Sequence, residues 1–184
     1  MKIAVVGTHG FGKNVLVNML GDYCQNLGET YVHGTEFNYM DLLNSPDPID
    51  HAFMEITKTI MRETHSTNLE PNYLILNGCA IDPLIYLNAM TLPYSYPKEL
   101  ERYALNWVHT YDTIFYVTPP YDFIPSKENL HGERFKEVVA EEFSLFMNEF
   151  IFNLNINVIQ LESDDIHNKR IQSIFKNVLE DEYD

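Results

Sequence analysis

The sequence predicts an α/β fold, a parallel sheet covered by helices on both faces. Three observations carry that expectation. Short apolar runs alternate with stretches of helical periodicity along the chain. The runs at Lys2–Val6 and Tyr73–Leu76 are apolar almost throughout, as strands buried on both faces are. The first of them leads through a glycine-rich turn directly into a helical pattern.

Taken in order, Lys2–Val6 is the first strand. A helix follows over Lys13–Leu27, with Val15, Leu16, Met19, Leu20, Tyr23 and Leu27 at helical spacing and Gly28 as its stop. Thr30–His33 is a short second strand, and Asn44–Pro48, "NSPDP", is a turn-rich break. Ile49, Phe53, Ile56 and Ile60 then recur at helical intervals and predict a helix of about four turns ending near His65. Tyr73–Leu76 is the third strand. Asp82–Pro83 opens a short helix, since proline is favoured in a first helical turn. Another helix runs from Pro97 to about His109, and Thr113–Val117 is the fourth strand. The stretch "TPPYDFIPSKENLHGER" is a long connection with three prolines, of a length found in mobile lids. Phe135–Asn153 is a helix with Val138, Val139, Phe143, Phe146 and Phe150 on its buried side; Asn157–Leu161 is strand five, and Ile166–Leu179 a closing helix. No repeat, low-complexity segment or domain boundary intervenes, so residues 1–184 are expected to form a single domain.

At 184 residues and 45% hydrophobic, the chain has material for one proper core. Its net charge of −15, from 27 acidic against 12 basic residues, opposes approach to nucleic acid or anionic lipid, so neither is expected as a partner. The same field opposes a free nucleotide, so positive charge at any phosphate site must be placed locally. The final "EDEYD" reads as a solvated acidic tail. Cys24 and Cys79 lack metal spacing and read as reduced thiols. His33, His51, His65, His109 and His167 form no metal spacing either, so zinc is not expected. No stretch approaches the roughly 18 consecutive apolar residues of a membrane helix. The opening MKIAVVGTHG is interrupted too early by glycines and Lys13 for a signal peptide, and the cytoplasm is the expected compartment.

The chemistry concentrates in "VVGTHGFGKN", Val5–Asn14, where Gly7, Gly12 and Lys13 satisfy G-x-x-x-x-G-K. Glycines let successive backbone N–H groups turn inward around a phosphate, and the following helix points its positive end at the same spot. Lys13 then reaches the outer phosphates, and the next side chain normally lends a hydroxyl to Mg²⁺. Here that side chain is Asn14.

"GTHGFGKN", "YLILNGCAIDPLIYLNAM" and "YDTIFYVTPPYDFIPSKENLHGER" together resemble the nicotinamide riboside kinase-like AAA domain family of P-loop proteins, relatives of the nucleoside and nucleotide kinases. The loop is similar to the family's G-T-H-S-T-G-K-T, with Thr8 and His9 in common. Asp82 and Tyr86 match a D-x-x-x-Y helix after the third strand. Tyr111, Asp112, Pro120, Gly132 and Arg134 match a Y-D strand followed by Pro-Pro and a D-G-x-R lid. The resemblance implies a three-layer P-loop kinase-like fold, a five-stranded parallel sheet in the order 2-3-1-4-5 flanked by helices. It also implies ATP or GTP with Mg²⁺, and a small-molecule acceptor. Three positions depart from the family pattern: Asn14 stands for Thr, Asn77–Gly78 for an Asp-Arg pair, and His131 for the lid's Asp.

On this basis the nucleotide-binding residues are Gly7, Thr8, His9, Gly10, Phe11, Gly12, Lys13, Asn14 and Val15. Lys13 is the phosphate contact. Arg134 is either a cationic clamp on the transferred phosphoryl or an exposed helix-start arginine. Glu36, just after the second strand, is either the general base for an acceptor hydroxyl or a loop acid. Asp82 is either a helix-start residue or a metal-water ligand replacing the lost strand-end carboxylate, which makes Asn14 and Asp82 the metal-facing pair. Lys58 and Arg62, one turn apart, either face an anionic acceptor or form a solvated basic face. Two functions follow: a nucleoside or nucleotide kinase, for which the lid and the lysine argue, and a nucleotide-binding module with little turnover, for which Asn14 and Asn77 argue.

Overall fold

The computed structural model describes residues 1–34, 37–90, 97–120, 133–168 and 170–180. Glu36, His131 and Gly132 lie outside the described residues, as do the rest of 121–132 and the last four residues of the acidic tail. Five parallel strands form the sheet in the order 2-3-1-4-5. The central strand β1 (Lys2–Gly7) lies between β3 (Tyr73–Asn77) and β4 (Thr113–Thr118), with Val5 beside both Asn77 and Phe115. β2 (Tyr31–Gly34) and β5 (Asn157–Glu162) are the edges.

Side chains along β1 alternate between faces, and each face has its own core. Ile3 and Val5 pack with Leu16, Leu20 and Cys24 of α1 (Lys13–Leu27) and with Phe175 of α7 (Arg170–Leu179). Ala4 and Val6 face the opposite layer. That layer is built from α3 (Pro48–Thr67), α4 (Asp82–Ala89), α5 (Lys98–Val108) and α6 (Glu133–Glu149), through Ile56, Leu84, Ala104 and Phe143. No helix among the described residues is long and apolar enough to cross a membrane.

A buried carboxylate ties the second layer to the sheet. Glu63 of α3 is 3% exposed and accepts hydrogen bonds from Trp107 Nε1 at 2.5 Å and from Tyr111 Oη at 3.0 Å. Lys2 Nζ pairs with it at 2.8 Å and stands 4.4 Å from the ring centres of both Trp107 and Tyr111. Tyr111 Oη also accepts the Ala80 N–H, and Asp112 accepts the Lys2 N–H at 2.6 Å. The Tyr-Asp pair singled out in the sequence thus anchors the layer.

Several elements differ from the expectation. A short helix, α2 (Tyr39–Leu43), was not foreseen; its Asn38 cap accepts the Met40 N–H. α3 runs from Pro48 to Thr67, longer than four turns, because Asp47 caps it and Pro48 occupies its first position. α6 ends at Glu149, where Asn153 Nδ2 donates to the Asn148 and Glu149 carbonyls, and a 3-10 turn, Ile151–Asn153, follows. The closing helix is divided into a 3-10 turn, Ser163–His167, and α7, because Asn168 caps the Arg170 N–H. Val15, Leu27 and Phe53, placed by periodicity on buried faces, are 39%, 41% and 51% exposed.

Candidate functional site

The turn between β1 and α1 lies at the carboxyl ends of the central strands, where parallel sheets bind ligands. Gly7 sits at φ 136°, and a Cβ there would lie 2.2 Å from the Val117 carbonyl oxygen on β4, so only glycine fits. Gly10 and Gly12 are also left-handed, at φ 83° and 90°. Lys13 is 4% exposed. Its Nζ donates to the Gly7 carbonyl at 2.9 Å and the Thr8 carbonyl at 3.3 Å, so the ammonium is folded onto the rim of the loop. Thr8 is buried, and its Oγ1 has no hydrogen-bond partner among the described residues. Phe11 packs against the α1-side core.

His9 is fixed on two sides. Its backbone N–H donates to Tyr86 Oη at 3.1 Å, and its Nδ1 lies 3.0 Å from the same oxygen. The hydroxyl accepts the first bond, so one oxygen holds both the backbone and the ring of His9. The ring stacks on Tyr39 at 4.2 Å between centres. Burial, then Lys136, then Lys13 push its pKa down to about 4. Between this loop and the segment Phe37–Tyr39 opens a cleft of about 540 Å³, walled by His9, Gly10, Gly12, Lys13, Asn14 and Val15. Val15 is exposed because it faces this cleft instead of the core.

Of the two metal-facing positions, Asn14 lines the cleft and Asp82 does not. Asn77 Nδ2 donates to Asn14 Oδ1, so the oxygen that would reach a cation is held by a neutral amide. Asp82, 3% exposed at the start of α4, accepts the Cys79 S–H at 3.4 Å and is not part of the cleft wall. No carboxylate lines that cleft among the described residues, and no group of three metal-ligating side chains occurs among them. Among the described residues the cleft therefore offers Mg²⁺ neutral donors only, and anionic oxygen there would have to come from the phosphates of a ligand.

The remaining sequence-selected residues are dispersed. Arg134, in the first turn of α6, is exposed. Lys58 is tied to Glu55 at 2.5 Å. Arg62 lines a separate cavity of about 20 Å³ with Gly34, Phe37, Glu63, Asn77 and Gly78, room for about one water. One residue was missed. Lys136 of α6 places its Nζ 3.2 Å from where a Cβ on Gly10 would stand, directly over the loop. Its sequence signal was only its place two residues after Arg134.

A glycine loop between the central strand and a helix, with a lysine buried against it at the carboxyl edge of a 2-3-1-4-5 sheet, defines a P-loop domain. The chain matches the model of an AAA domain family over residues 2–169 and belongs to that family. No curated protein matches it in sequence. Among solved structures it is similar to deoxyadenosine kinase from M. mycoides with bound dATP. There the TM-score is 0.65 and the identity 16%, over 97% of this chain and 98% of that one. The same kinase with the products dCMP and a flexible dCDP bound aligns at TM-score 0.61 and 14% identity, and with bound dCTP at 0.61 and 16%. Both cover 97% of this chain and 98% of that one. At such identities the likeness is one of fold.

Proposed function

We propose that residues 1–184 form a single nucleotide-binding domain, an ATP- or GTP-dependent small-molecule kinase acting on a nucleoside or nucleotide. The observation that carries the reading is Lys13, buried against the Gly7 and Thr8 carbonyls in the wall of the cleft. An ammonium so placed exchanges neutral carbonyl acceptors for anionic oxygens when a phosphate enters. The loop N–H groups from Gly10 to Asn14 and the N-terminus of α1 supply the rest of the cradle. The deoxyadenosine kinase structures, with dATP or dCTP bound in the same fold, support the nucleotide as ligand. Arg134 is assigned the clamp on the transferred phosphoryl, and Glu36 the acceptor's general base. Asp82, buried beside Cys79, is the weaker base. Since no described carboxylate lines the cleft to hold Mg²⁺, no step is routed through a protein-held metal. The buried, free thiols Cys24 and Cys79 agree with a reducing compartment, and the cytoplasm is our assignment.

A second reading has its own observation. The Asn14–Asn77 hydrogen bond favours a module that binds a triphosphate and turns it over slowly. A thermal-shift panel of ATP, GTP and their diphosphates, with and without Mg²⁺, joined to ADP or GDP release across nucleosides and nucleotides, separates the two. A triphosphate at 100 times its dissociation constant adds about 2.7 kcal/mol. Stabilisation with acceptor-dependent release of diphosphate is expected for the kinase, stabilisation without release for the module. No stabilisation by any triphosphate overturns both.

A further inference from the structure

We infer that Lys136 is a second phosphate-binding cation of this site, and that triphosphate affinity here rests on the two lysines instead of on Mg²⁺. The inference depends on the phosphate-loop reading above.

Lys136 arrives from the layer opposite α1. Its Nζ and Cε lie 3.2 and 3.6 Å from the Cβ position of Gly10, the middle of the loop. Lys13 holds the loop's inner rim through the Gly7 and Thr8 carbonyls. The two ammonium groups therefore bracket the loop, one from within and one from above. His9 lies within electrostatic reach of both: after burial, the charges of Lys136 and Lys13 each disfavour its proton. In a chain of net charge −15, a lysine held against a backbone turn with no ion pair to a described residue has an unmet electrostatic demand. A triphosphate in the loop meets it.

The same site lacks what normally balances phosphate charge. Asn14 and Asn77 bond to each other, and no described carboxylate lines the cleft to hold a divalent cation. A lysine over the loop supplies positive charge at the phosphate oxygens without any metal ligand. Arg134, matched to the lid by sequence, stands exposed two residues earlier. The cation that the fold brings onto the loop is Lys136.

The experiment is calorimetric titration of ATP and of inorganic tripolyphosphate into the wild-type chain, Lys136→Ala and Lys13→Ala, each in EDTA and in Mg²⁺. Tripolyphosphate separates phosphate contacts from contacts to the base. Wild type is expected to bind both ligands in EDTA within threefold of its affinity in Mg²⁺. Lys136→Ala is expected to lose at least tenfold for both in EDTA, with a melting temperature unchanged from wild type because Lys136 packs in no core. Equal affinity of Lys136→Ala and wild type overturns the inference and leaves the phosphate loop standing, as does wild-type binding that requires Mg²⁺. No binding to wild type under either condition removes the phosphate-loop reading itself, and this inference with it.

Discussion

Replacing Glu63 with Gln removes one charge from a buried network without changing its shape, and the cost can be worked from the contacts. Glu63 receives three donors: Lys2 Nζ, Trp107 Nε1 and Tyr111 Oη. The amide keeps one acceptor oxygen but turns an NH₂ toward a donor, and it leaves Lys2 without its counter-ion. Removing one partner of a buried pair costs about 3–5 kcal/mol. Lys2 retains the faces of Trp107 and Tyr111, the Thr110 hydroxyl and 11% side-chain exposure, which place the loss at the lower end, about 3 kcal/mol. For a chain of this length that corresponds to a melting temperature lower by about 6–12 °C. Trp107, the chain's single tryptophan, touches Glu63 and reports urea unfolding by fluorescence. Adding Lys2→Met to Glu63→Gln removes the stranded charge, so the double variant should recover at least half of the loss. If Glu63→Gln lies within about 1 kcal/mol of wild type, or the two changes add, the network does not anchor this layer as argued.

Three further outcomes follow from the site. Asn14→Thr, alone and more so with Asn77→Asp, should raise any phosphoryl-transfer or hydrolysis rate while changing nucleotide affinity little, because metal-bridged phosphates carry transition-state charge whereas the loop N–H groups, the helix end and the lysines carry affinity. Steady-state rates and equilibrium binding on the two variants check this; a lower rate in Asn14→Thr would make Asn14 an adapted part of a working site. For His9, the folded pKa of about 4 lies below the usual 6.5, so its contribution to stability is complete above pH 6.5 and is lost as pH falls toward 4. The shift sets a ceiling of about 3.4 kcal/mol; half-burial reduces it to the order of 1–2 kcal/mol. Melting curves between pH 7 and 4.5 should therefore fall more steeply for wild type than for His9→Gln, and parallel curves would count against it. Gly7→Ala should leave little folded protein at 25 °C by circular dichroism, since its Cβ meets the Val117 carbonyl at 2.2 Å.

The parts of this account legible in the sequence are those that local rules control. The loop from Gly7 to Lys13, the stop at Gly28 and the alternation of strands and helices depend on backbone geometry and burial, which residues report directly. The strand order came from the resemblance, because spacing alone does not say which strands are neighbours. Helix ends were misjudged where a side chain reached back to the backbone, as Asn153 and Asn168 do. Val15 shows the limit of periodicity: it lies on an apolar stripe, yet it faces the cleft. Asn14 and Asn77 could each be noticed as amides at metal-facing positions, but their mutual bond needs β1 and β3 side by side. Lys136 was invisible for the same reason, since only the packing of α6 carries it to Gly10.

The central claim is that Lys13 and its loop bind nucleotide phosphate. Calorimetric titration of triphosphate into Lys13→Ala tests it most directly, with melting temperature as a check on folding. The account predicts that affinity falls by at least about a hundredfold, from loss of a charged donor contributing roughly 3 kcal/mol, while the fold is retained. Affinity equal to wild type in a folded Lys13→Ala chain would contradict it.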